Sequence, residues 1–134
     1  MKTIIATIKP HHLGNIRRGA KTYEMRKTCP KEFPFKVLCC ESGSGGQIKA
    51  EFICDYAEKQ FTDDFPRIWE KVRVSELEAL RYSNGSRVYF WHITDMIDYC
   101  STKGQQVRNI SEFGLKRPPQ SWQYVELQEE NDGN

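Results

Sequence analysis

The chain is short of strong net charge, of histidine and of long apolar runs, and each shortage excludes something. Its formal charge is +2 over 134 residues, with three histidines. The sequence pI near 8.3 falls below the value of about 9 or more that marks a dedicated nucleic-acid coat. No apolar run approaches the length needed to span a membrane. Met1 to Ile8 is too short for the apolar core of a signal peptide, so no secretory signal is read. The five cysteines, Cys29, Cys39, Cys40, Cys54 and Cys100, are odd in number and form no Cys-x-x-Cys pair, which argues against a disulfide framework and against a cysteine metal knuckle. Reduced thiols acting mostly as small core residues in a cytoplasmic protein are expected instead. Ser42-Gly43-Ser44-Gly45-Gly46 lacks the Gly-x-x-x-x-Gly-Lys-Ser/Thr order and is read as a hairpin turn, not a phosphate loop. His11 and His12 are adjacent, and neighbours on a helix diverge, so they are read as surface residues and no metal site is expected. No cofactor is implied, and there are no internal repeats.

What charge there is lies unevenly. Residues 1–40 carry nine Lys and Arg against two Glu, whereas the last eleven carry four acids and no Lys or Arg. A basic first third points to an anionic partner such as nucleic acid or a phosphate-bearing metabolite. The length suits one domain, expected over residues 1–127, with residues 128–134 as an acidic, disordered tail.

The chemistry concentrates in Gly19-Ala20-Lys21-Thr22-Tyr23-Glu24-Met25-Arg26. Read as a strand from Thr22, it places Thr22, Glu24 and Arg26 on one face and Tyr23 and Met25 on the other, because strand side chains repeat every two residues. The polar face can line a cleft, or its charges can pair with one another in solvent. Ile4–Ile8 reads as a strand ended by Lys9-Pro10. Leu13, Ile16 and Ala20 give helical spacing, with Gly19 as the stop. Lys9 and Lys21 flank that helix and can face one cleft.

Phe35–Glu41 and the alternating Ile48, Ala50, Phe52 and Cys54 read as an antiparallel pair. A helix start is read at Thr62–Pro66, with Phe65, Ile68, Trp69 and Val72 as its apolar stripe. Ser75 caps a second helix, with Glu78 as its capping-box partner and Leu77 and Leu80 inside. Ser86–Met96 reads as the longest strand, central and covered on both faces, with His92 a hydrogen-bonded interior residue. A helical turn at Ile110–Leu115 and a last strand at Trp122–Leu127 complete the reading. Short, evenly spaced strands outnumber helices. The expected fold class is therefore α+β, a small mixed β-barrel with short peripheral helices.

The segments Ile8-Lys9-Pro10, Gly19-x-Lys21-Thr22-x-Glu24-x-Arg26, Phe35-Lys36-Val37, Gly46-x-Ile48-x-Ala50-Glu51-Phe52, Trp91-His92-Ile93 and Pro118-Pro119-Gln120-Ser121-Trp122-x-Tyr124-Val125 resemble, in order and spacing, the ASCH family of the PUA-like superfamily. Small phage and prophage members are the nearest in kind. The resemblance implies a β-barrel with a cleft beside the first helix and the following strand, one that binds RNA or a modified nucleoside or nucleotide. Some members hydrolyse N4-acetylcytidine with a Lys and a Thr of this stretch and a Glu from elsewhere; others are described as ribonucleases. Lys21 matches the family lysine, but Glu24 stands where the hydrolase threonine would. Glu70, Glu76 and Glu78 are candidates for the distant glutamate.

Three functions follow. In a binding module, Lys9, Lys21 and Arg26 would engage phosphate, Thr22 and Ser121 would add hydroxyls, and Trp122 or Tyr124 would stack a base unless both rings pack into the core. In a metal-independent hydrolase acting on a modified nucleoside or on RNA, Lys21 would be base or nucleophile and Glu24 the general acid/base, with Ser121 or Thr22 polarising the reacting group. The third reading is a protein-interaction module.

Overall fold

In the computed structural model, residues 1–62 and 69–127 are described, apart from the side chain of Trp69. The helix start expected at Thr62–Pro66 lies outside them beyond Thr62, as do the stripe residues Phe65 and Ile68 and the acidic tail at 128–134.

Seven strands form one mixed sheet in the order β2-β5-β4-β3-β1-β7, with the two-residue β6 (Arg108–Asn109) paired to β4. β1 (Lys2–Ile8) runs parallel to β3 (Phe35–Glu41) and antiparallel to β7 (Trp122–Val125). The other pairings are antiparallel: β2 (Tyr23–Arg26) with β5 (Val88–Asp98), β5 with β4 (Gln47–Gln60), and β4 with β3. The helices are short: α1 (Pro10–Arg17), α2 (Trp69–Val72), α3 (Glu76–Ser83) and a 3-10 turn at Ile110–Phe113. The α+β architecture expected from the strand pattern is observed, as a sheet curled into a half-barrel.

The seam between the end strands is spanned by side chains. The Arg26 guanidinium on β2 donates to the Thr7 carbonyl on β1 at 2.9 Å and to the Ser121 carbonyl and Oγ at 3.2 Å. Trp122 Nε1 on β7 donates to Thr28 Oγ1 at 2.8 Å. These bonds occupy edges that would otherwise present unpaired backbone groups.

Strand alternation decides the core. Ile4, Ala6, Ile8, Val37, Cys39, Ala50, Phe52, Cys54 and Trp91 pack together on the inner face, with Leu13 and Ile16 of α1. The adjacent Cys40 points the other way, to Ile5, Leu38, Ile48, Tyr99 and Ile110. Cys39, Cys40 and Cys54 are thus buried as small apolar residues, and all five thiols are free. β5 is covered on both faces where Phe90 and Trp91 lie.

Three local expectations are corrected. β4, not β5, is the longest strand, because a bulge at Asp55–Tyr56 bends it and lets it continue through polar residues to Gln60. His92 is half-exposed rather than interior. The same bulge brings Asp55 Oδ1 to 2.7 Å from His92 Nδ1 and stacks Tyr56 on its ring. Leu77 and Leu80 lie exposed on α3, which turns Ala79 and Ser83 inward instead, Ala79 joining the cluster of Met25, Val72, Val88 and Phe90.

Candidate functional site

The site begins with how α1 ends. Lys9, before proline, is extended (φ −63°, ψ 146°), as a residue preceding proline must be. Leu13 and Ile16 anchor the helix to the core. Beyond it, Gly19 adopts φ 76°, which costs a glycine nothing. That turn folds the chain back so that the N–H groups of Ala20 and Lys21 both reach the Asn15 carbonyl, at 2.9 and 3.0 Å. Lys21 is thereby delivered beneath α1.

Lys21, Glu24 and Arg26 are each under 10% exposed. Lys21 Nζ donates to the Val72 carbonyl at 2.6 Å, one of the carbonyls the short helix α2 leaves without an intrahelical partner. It lies 3.2 Å from Glu24 Oε1. Glu24 Oε2 accepts from Arg26 Nη2 at 2.9 Å and from Nε at 3.2 Å. The carboxylate thus sits between two cations. Burial alone would raise its pKa, but the charges of Lys21 and Arg26 and their hydrogen bonds outweigh this and hold it down at about 2. Arg26 makes five hydrogen bonds, to Glu24, Ser121 and Thr7, which matches the five N–H groups of a guanidinium.

These three groups form the floor of a cleft of about 250 Å³. Its walls include Lys9, His12, Glu78, Tyr82 and Gln120, with Ile8 and Met25 as apolar surface. His12 is largely buried, and burial, then the charges of Lys21 and His11, lower its pKa below the ordinary imidazole value. Tyr82 accepts from the Lys27 N–H at 3.0 Å, which ties α3 to the end of β2.

Of the residues singled out from sequence, Lys9, Lys21, Glu24 and Arg26 converge on this cleft. Ser121 touches it through Arg26. Thr22 is outside the lining; its backbone is held by the Lys71 carbonyl and the Ile93 N–H. Trp122 is half-buried against Trp91, with Tyr124 beside it, exposed at the rim of the sheet under the Lys2 ammonium. Of the three distant glutamates, Glu78 alone lines the cleft, while Glu70 and Glu76 are exposed elsewhere. Ser75 Oγ does accept the Glu78 N–H at 3.1 Å, but the Glu78 carboxylate turns to His12 rather than completing a capping box.

His12, expected at the surface, is instead largely buried in the wall of the cleft, because α3 packs over it. Lys9 and His12 are three apart at a helix start, a spacing that places them on one side. Tyr82 carried no local signal, since its place depends on how α3 packs.

No family model matches this chain, and no curated protein matches it. Solved structures do. The ASCH protein of Zymomonas mobilis superposes with a TM-score of 0.75 at 16% identity, over 96% of this chain and 90% of that one. Its serine-to-alanine variant gives 0.75 at 15% identity, over 93% and 89%. Its tyrosine-to-phenylalanine variant gives 0.76 at 16%, over 94% and 91%. The curled α+β half-barrel is therefore the fold of that ASCH protein.

Proposed function

We propose that this chain is an ASCH module that binds RNA or a nucleotide in the cleft floored by Lys21, Glu24 and Arg26. The observation that carries the reading is the ion network itself. Three ionised groups are buried at the bottom of an open cleft, where desolvation makes them costly unless they serve a ligand or a fixed geometry. The Nζ of Lys21 spends two of its three hydrogens on Val72 and Glu24, and a third remains for an acceptor such as a phosphate oxygen. Lys9 adds a second, exposed cation at the mouth. Arg26, with its donors engaged by the protein, positions Glu24 and the seam rather than gripping phosphate. Five free thiols fit a cytoplasmic setting, and the motif spacing fits the small phage and prophage members of the family.

Titration against short single-stranded RNAs at several salt concentrations tests this. Affinity should fall with rising salt and fall further in Lys21→Ala and Lys9→Ala. Salt-independent binding, or none, overturns it.

Glu78 favours a second reading, hydrolysis of an acylated nucleoside of the N4-acetylcytidine type. A glutamate from a distant element stands in the cleft with Lys21. In that reaction the acyl C–N bond breaks, and water supplies the hydroxyl to the acid and a proton to the exocyclic amine. Chromatography of N4-acetylcytidine after incubation, with Lys21→Ala as control, decides it. Turnover lost in that variant makes the chain an enzyme.

A further inference from the structure

We propose that His11, His12 and Glu78 form a site for a divalent transition-metal ion of the zinc class on the wall of the cleft. Each residue offers a donor atom, and the three atoms lie within 4.8 Å of one another. They come from the first turns of α1 and α3, so the site exists only when the two helices are packed. His12 Nε2 and Glu78 Oε1 are 3.7 Å apart, beyond hydrogen-bond reach. His12 Nδ1 is buried with no hydrogen-bond partner. Neither ring nitrogen of His12 is therefore committed to the protein, which is unusual for a largely buried imidazole.

Lys21 is compensated by Glu24 at 3.2 Å, and Glu78 brings its own negative charge. The His11 and His12 rings lie with centroids 3.9 Å apart, so the two imidazoles stand together at the start of α1. Ligand bonds of about 2.0–2.2 Å in tetrahedral geometry put donor atoms roughly 3.4 Å apart. His12 and Glu78 are close to that spacing already, and the exposed His11 has room to turn in. Two imidazoles and one carboxylate select zinc, cobalt, nickel or copper over magnesium. Because His12 and Glu78 both line the cleft, the open coordination position faces the place where a ligand would sit.

The site does not rest on the nucleotide reading and is tested without nucleotide. The full chain is titrated with Zn²⁺ by calorimetry and with Co²⁺ by visible absorption, beside His11→Ala and Glu78→Gln. One ion per chain with micromolar or tighter Kd is expected, weakened at least tenfold in each variant while their metal-free melting temperatures stay near that of the parent. The proposal is overturned if no stoichiometric ion binds, if both variants bind as the parent does, or if Co²⁺ gives a thiolate charge-transfer band, which would place the ion on cysteine. RNA binding without metal binding would remove this site and leave the cleft reading standing; the converse would do the opposite.

Discussion

Replacing Glu24 with Gln keeps the shape of the side chain and removes the one negative charge between Lys21 and Arg26. Both cations are buried, so the protein would be left with two uncompensated charges at the cleft floor, a loss of roughly 3–5 kcal/mol by comparison with other broken buried pairs. The depressed pKa gives a second route to the magnitude. Moving a carboxyl from its ordinary 4.5 to about 2 corresponds to about 3 kcal/mol at neutral pH. Because the folded pKa is the lower one, that contribution is complete above about pH 4.5 and is lost as pH falls from there towards 2. The assay is urea unfolding of the parent and of Glu24→Gln at pH 7 and again near pH 3. A difference of about 3 kcal/mol at pH 7, clearly smaller near pH 3, is expected. A difference below about 1 kcal/mol, or one that does not change with pH, would refute the claim that Glu24 is the ionised centre of the network.

Arg26→Lys keeps the charge but loses the planar fork that reaches Thr7, Ser121 and Glu24 together, and should cost about 2–4 kcal/mol. Amide exchange should then quicken in β2 and β7 before the rest of the sheet, and uniform quickening would argue against a stitched seam. Ser75→Ala removes the hydroxyl that accepts the Glu78 N–H, and should lower stability by about 1 kcal/mol in urea unfolding. Since α3 carries both Glu78 and Tyr82, it should also weaken any ligand the cleft binds, and an unchanged Kd would detach the helix from the site.

Much of this protein was legible before folding was considered. Period-two alternation in Ile48–Cys54 fixed which side chains would be buried, because a pleated strand offers only two faces. Lys9-Pro10 and Gly19 marked the ends of the first helix, because proline and glycine restrict or free the backbone locally. The short stretch Lys21–Arg26 held the charged groups of the cleft floor, since their spacing is a property of the strand itself.

What only the tertiary structure decided lies between elements distant in sequence. Whether the polar face of β2 met solvent or a cleft depended on the curl of the sheet, which brings β7 and β1 against Arg26. Leu77 and Leu80 read as core from helical spacing, yet α3 docks with Ala79 and Ser83 inward, against a cluster built from β2, α2 and β5. His12 and Glu78 share a wall because two helices meet, and His92 reached the surface because a bulge in β4 turned Asp55 and Tyr56 towards it. Local pattern sets which groups a segment can present. The packing of non-neighbouring segments sets which of them meet, because the distances between them depend on every turn of the chain in between.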